Sequence, residues 1–187
     1  MKIAVIGGTG LIGSQVVNDL NAAGHEAVAH ALSTGVDIIS GRGVDEAVAG
    51  VDVVVNVTTS PTFDDASLAF FQTSMDNLLA SAPKGGVGHF VILSIVGADQ
   101  VPELDYYRAK VLQEKILAAG PVPYSIVRAT QFMDFMDAAP RPHHSPTPRR
   151  SANSQRIGAD TGDDHSLLLQ LDLVEDRVAA SSSRSPV

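Results

Sequence analysis

The chain has 187 residues, with 13 Lys and Arg against 21 Asp and Glu, a formal charge of −8 and no Cys. That length suits a single domain with or without an appendage. With no Lys/Arg cluster in its first 138 residues it lacks the cations that phosphate-backbone binding needs, so no nucleic-acid partner is expected. The missing Cys excludes a disulfide framework, a thiolate metal site and a Cys nucleophile.

The start, Met1-Lys2-Ile3-Ala4-Val5-Ile6-Gly7, carries one basic residue and a short apolar run broken by glycine. It reads as neither signal peptide nor membrane span, so a cytoplasmic protein without a membrane partner is expected. Residues 3–6 predict a strand, 11–23 a helix closed by Gly24, and 26–31 a second strand. A short helix over 44–49 closed by Gly50, a strand over 51–57 and a long helix over 64–82 follow, the last with Leu68, Phe71, Met75 and Leu78 on one face. A strand over 90–94, a helix over 104–119 and a strand over 124–127 complete the regular part. Residues 36–39 also look like a strand, yet only 32–35 separate them from the second strand, and a parallel crossover needs about a dozen residues. They are expected to be either an irregular edge segment or the remnant of a lost crossover helix.

Strands that are apolar on both faces, alternating with helices, predict an α/β fold: a Rossmann-type doubly wound parallel sheet with helices on both faces. Composition changes at residue 138. All nine Phe and Tyr lie before it, whereas 139–187 hold no Lys, five of the ten Pro and a Ser-rich end. Two units are therefore expected, a folded domain over 1–138 and a poorly ordered tail over 139–187 with one helix at 167–178.

The strongest local signal is Gly7-Gly8-Thr9-Gly10-Leu11-Ile12-Gly13, which follows a predicted strand and opens a predicted helix. A pyrophosphate must approach this backbone closely and meet the free N–H groups and positive dipole end of the helix, which a Cβ at the approach position would obstruct. Gly7, Thr9, Gly10, Leu11, Ile12 and Gly13 are therefore candidate cofactor contacts. The segment after the second strand, His30-Ala31-Leu32-Ser33-Thr34, lacks the carboxylate that NAD-selective sites place there. With Ser33 and Thr34 as donors, and Arg42 read as an ordinary loop charge, NADP(H) is the preferred cofactor and NAD(H) the alternative.

A second constellation is Ser94, Tyr106 and Lys110. Tyr106 and Lys110 are i and i+4 on a predicted helix, so both project from one face, and a nearby ammonium would favour the phenolate and bring a phenol nearer its working range. Ser94 falls at the carboxyl end of its strand, where ligands bind in doubly wound folds. Asn56 and Thr58 end the middle strand, where position alone reads as a polar strand cap. Phe132 and Phe135 read as core, as does Tyr107. His143, His144 and His165 lie in the Pro-rich tail without a carboxylate at ligand spacing, so no metal site is expected, and His25 and His30 look structural. Neither G-x-S-x-G nor a GK[ST] phosphate loop is present.

The glycine loop, together with Asp52-Val53-Val54-Val55-Asn56-Val57-Thr58, Leu93-Ser94-Ile95-Val96-Gly97, Tyr106-Tyr107-Arg108-Ala109-Lys110 and Ile126-Val127-Arg128-Ala129-Thr130-Gln131-Phe132, resembles the extended and atypical short-chain dehydrogenase/reductase superfamily, in particular its NmrA-like NAD(P)-binding branch. The resemblance runs from residue 1 to about 137. It implies a carbonyl-orienting Ser94, a proton-donating Tyr106 and a Tyr-activating, ribose-binding Lys110, with Asn56 and Thr58 near the ribose or pyrophosphate. The activity it implies is an NAD(P)H-dependent oxidoreductase passing hydride to a carbonyl or quinone-like acceptor, an unknown small molecule; the alternative is a non-catalytic NAD(P)-sensing regulator. Relatives close the substrate pocket with strands and helices after this point, and residues 139–187 do not match them. A truncated or out-of-frame C-terminal region is the expectation, with self-association possible through the apolar surface it would leave.

Overall fold

The computed structural model describes residues 1–130. Expectations for 131–187, including the tail and its helix, Phe132, Phe135 and the three tail histidines, lie outside the described residues. Strands β1 (Lys2–Ile6), β2 (Glu26–His30), β3 (Val53–Asn56), β4 (His89–Ile95) and β5 (Tyr124–Ala129) form one parallel sheet in the order β2-β1-β3-β4-β5. This is the expected doubly wound fold. The chain runs outward from β1 to β2, then returns past β1 to β3, so connections leave β1 and β3 in opposite directions and open a crevice at their carboxyl ends.

Helix α1 (Leu11–Ala22) covers one face of the sheet, its Val16 and Leu20 packing on Ile3, Val5, Val53 and Val55. Helices α2 (Val44–Val48), α3 (Ala66–Gly85) and α4 (Asp105–Ala118) supply the other face, where Met75, Leu78, Ala82 and Leu117 meet Ala4, Ile6, Val54, Phe90 and Ile92. Strand alternation produces this division: odd residues of β1 face α1 and even residues face α3. Helix α1 ends where Gly24 takes φ +88° and the N–H of His25 reaches back to Leu20 O at 3.0 Å, a left-handed closure suited to glycine. Helix α3 ends likewise at Gly86, φ +79°.

Residues 36–39 do not form a strand. Val36 is buried in the core and Ile38 packs against it, which is the source of their strand-like pattern, but the backbone turns instead of pairing. The Asp37 carboxylate accepts from the N–H groups of Ile39 and Ser40 and from Ser40 Oγ, and Asn77 Nδ2 of α3 donates to the carbonyls of Ile38 and Ile39 at 2.8 and 3.0 Å. With these groups satisfied locally no ladder is needed. β2 is left as an edge strand, and Asn21 of α1 covers part of it by pairing both its amide oxygen and nitrogen with the main chain of Ala27, at 3.0 and 3.1 Å.

Candidate functional site

The crevice above β1 and β3 opens into a cavity of about 950 Å³. Gly7, Thr9, Gly10, Leu11, Ile12 and Gly13 line one part of it, and Thr58, Ser94, Tyr106 and Lys110 line another. Ten of the twelve candidate residues thus face one space. Ser33 and Asn56 do not line it.

The glycines divide their work. Gly7 takes φ +85°, and a Cβ there would sit 3.2 Å from Thr58. A Cβ on Gly13 would lie 2.1 Å from Gly7 O, so α1 packs on the loop only because this residue is glycine. At Gly10, by contrast, a Cβ would meet only Gly7 O, at 3.3 Å, and would otherwise project into open space. The fold does not require that space; a phosphate approaching the α1 N-terminus does. No side chain caps α1 and no acidic residue occupies its first turn, leaving that end to an anion. Gly8 was not singled out from the sequence, yet a Cβ there would lie 2.7 Å from Ala29 Cα; its role is packing the loop on β2.

At the other end of the loop, Gly7 N donates to His30 O at 2.8 Å and Ser33 Oγ contacts Thr9 Oγ1 at 3.4 Å, so a 3-10 turn over Leu32–Thr34 is tied to the glycine loop. His30, expected to be structural, lines the cavity, and partial burial lowers its pKa. Asp37 lines it as well, a carboxylate that sequence spacing did not place here. Asn56 sits beneath the cavity, and its Oδ1 accepts from both the N–H and the Oγ1 of Thr58 at 3.0 and 2.7 Å. It thereby aims Thr58, two residues on, and reaches the cavity only through it.

Tyr106 lies between Phe63 and Phe71, ring centroids 4.9 and 6.0 Å away. Burial pushes its phenol up to about 12, opposed by a hydrogen bond with Thr59. This reverses the expectation that Lys110 would draw it down. Lys110, 4% exposed, spends its ammonium elsewhere: Nζ donates to Leu93 O at 2.6 Å and to Gln113 Oε1 at 2.5 Å, and it stands 4.7 Å from the centre of the Phe71 ring. Burial lowers Lys110 to about 7, with Glu114 pulling it back up.

Ser94 is 2% exposed, and among the described residues its Oγ is the buried side-chain oxygen without a hydrogen-bond partner. A buried hydroxyl left in this state costs free energy unless a ligand satisfies it. The orphaned oxygen and the cradle at Gly10 both fit a dinucleotide with an acceptor beyond it.

A family model described as NAD(P)H-binding matches residues 7–156. The photosystem II assembly factor Ycf39 of Synechocystis sp. is 29% identical over 150 residues, which are 71% of this chain and 45% of that protein. Among solved structures, the triphenylmethane reductase of Citrobacter sp. complexed with NADP(H) superposes with a TM-score of 0.60 at 20% identity, covering 73% of this chain and 52% of that one. The UDP-N-acetylglucosamine 4-epimerase of Bacillus cereus gives 0.61 at 21% identity, covering 68% and 58%. The chain therefore spans about half the length of the relatives it matches.

Proposed function

Taking as premise that the chain belongs to the NAD(P)H-binding family, a group of oxidoreductase-like dinucleotide binders, we propose that it is a reductase using a nicotinamide dinucleotide to reduce a carbonyl or quinone-like acceptor. The observation that carries this reading is the unpartnered Ser94 Oγ at the wall of the cavity that the glycine loop also lines. When bound, the dihydronicotinamide supplies the hydride. The N–H groups of Leu11, Ile12 and Gly13 would meet the pyrophosphate, with Gly10 leaving room for it. Thr9 and Thr58 would contact it, the latter aimed by Asn56, and Lys110 would hold a ribose hydroxyl.

Ser94 Oγ donates to the acceptor oxygen and Tyr106 delivers the proton. A phenol pushed up to about 12 is protonated at neutral pH, the state that a proton donor in the reductive direction requires. The preferred cofactor is NADP(H). Supporting this, His30 stands at the end of β2, where an NAD-selective site carries an acid, and the Ser33 and Thr34 hydroxyls follow it. Asp37, also on the cavity wall, has its carboxylate oxygens engaged by Ser40 and two main-chain N–H groups. The Citrobacter reductase, complexed with NADP(H), points the same way. NAD(H) remains the second cofactor.

Residues 1–138 form the proposed dinucleotide-binding unit, acting on a small molecule. Among the described residues no helix is long and apolar enough to cross a membrane. The test is hydride transfer from NADPH, followed by loss of its absorbance, to a panel of quinones and aromatic aldehydes. Oxidation that depends on acceptor and is lost in S94A supports the reading, and no oxidation with any acceptor contradicts it.

A further inference from the structure

Strand pairing sets Arg128 of β5 directly beside Ser94 of β4, on the face covered by α3 and α4. From there Arg128 grips Glu114 of α4 through two parallel contacts, Nε to Oε1 at 3.0 Å and Nη2 to Oε2 at 2.7 Å, and its Nη1 reaches Asp99 at 3.2 Å. Glu114 is only 7% exposed and stands one helical turn after Lys110. Buried carboxylates are costly unless paired, and a fork-on-fork Arg contact is the geometry that pairs them best.

We propose that the Glu114–Arg128 pair positions and charges Lys110, making Glu114 and Arg128 positioning residues of the dinucleotide site that couple cofactor binding to pH. The inference rests on Lys110 being a cofactor contact. Groups facing Lys110 come from four elements. On α4 they are Tyr106, Gln113 and Glu114; from α3 comes the Phe71 ring, from β4 the Leu93 carbonyl, and Arg128 of β5 acts through Glu114. Among these groups Glu114 is the one carboxylate, and Gln113 Oε1 and Leu93 O accept hydrogen bonds without contributing a charge. Glu114 therefore favours the ammonium against burial, and Arg128 holds Glu114 in place through its two contacts; a cation paired with a carboxylate offsets part of the field that carboxylate exerts on a third group. The two residues act on Lys110 with opposite sign. Removing Glu114 favours the free amine, and removing Arg128, with Glu114 kept ionised by Lys110 itself, favours the ammonium.

The experiment is a pH titration of the Lys110 side chain by NMR on the full chain without cofactor, in the wild type, E114Q, E114D and R128Q, paired with calorimetry of NADPH binding at pH 6 and pH 8. In E114Q the Lys110 midpoint moves to lower pH by about one unit, in R128Q it moves to higher pH, and E114D stays near the wild type. NADPH affinity at pH 8 falls about tenfold in E114Q for a midpoint shift of that size and recovers at pH 6. General structural damage would not produce opposite signs. Midpoints that stay put, or that move the same way in E114Q and R128Q, would overturn the proposal. Should either variant fail to fold, the sign in the other decides. Absence of NADPH binding in the wild type would remove the reading of the site while leaving the Lys110 titration to judge the pair.

Discussion

Lys110 Nζ donates to the main-chain oxygen of Leu93, the residue immediately before Ser94, at 2.6 Å. One buried ammonium thus pins α4, which carries Tyr106, to the strand end that carries Ser94. The relative placement of the proposed proton donor and the proposed oxygen-orienting hydroxyl depends on it.

Lys110→Met tests that buried charge through stability. The native amine, lowered to about 7 from an ordinary value of 10.5, binds fewer protons than the unfolded chain between those two pH values. Stability of the wild type therefore rises with pH across that window, at up to about 1.4 kcal/mol per unit for this group. Below about pH 7 both states hold the proton and the slope vanishes. In K110M this rise is absent while cofactor affinity is lost. Urea unfolding at pH 6.5, 8.0 and 9.5 measures the difference in slope.

Gly10→Ala and Gly13→Ala separate binding from folding. The Gly13 methyl would meet the Gly7 carbonyl at 2.1 Å, a main-chain collision that requires the loop or α1 to move and costs on the order of 3 kcal/mol. The Gly10 methyl meets little of the protein. G10A is expected to unfold within about 1 kcal/mol of the wild type while losing dinucleotide affinity by at least about tenfold, since its methyl occupies the approach space. Thermal unfolding with and without NADPH reads both effects.

Ser94→Ala removes an unsatisfied buried hydroxyl, so its stability is expected to be equal to the wild type or higher by about 1 kcal/mol. Turnover with NADPH and a quinone should nevertheless drop by about two orders of magnitude, the scale for losing one donor to a developing oxyanion. A destabilised S94A with full activity would show that the hydroxyl serves packing.

Tyr106→Phe keeps the ring between Phe63 and Phe71. Its fold and cofactor affinity are expected to match the wild type, with turnover reduced at least about a hundredfold by the loss of a general acid. Unchanged turnover would assign the ring a structural part.

The sequence carried much of this. A short apolar run and the glycines that follow it located β1 and the start of α1, the one-face periodicity of Leu68, Phe71, Met75 and Leu78 located α3, and the helical cover on both sides of the sheet followed from strands apolar on both faces. Residues 36–39 look like a strand because one buried side chain followed by a partly buried one mimics its pattern, and the short gap after β2 already pointed to an irregular segment; the Asp37 and Asn77 hydrogen bonds that replace the ladder involve partners two to thirty-nine residues away. Tyr106 and Lys110 at i and i+4 were read as a charge pair, but burial among Phe63, Phe71 and Gln113 governs both groups. Burial depends on tertiary packing, which spacing on a single helix does not encode. The Glu114–Arg128 pair was hidden for the same reason: it joins a helix to a strand.

In the proposed function, the loop from Gly7 to Gly13 and the cavity beyond it hold a nicotinamide dinucleotide. Calorimetric titration of the wild type and G10A with NADPH and with NADH tests it most directly. The account predicts one site per chain in the wild type, tighter for NADPH than for NADH, and greatly weakened binding in a folded G10A. No heat of binding with either dinucleotide, or equal affinity in G10A, would contradict it.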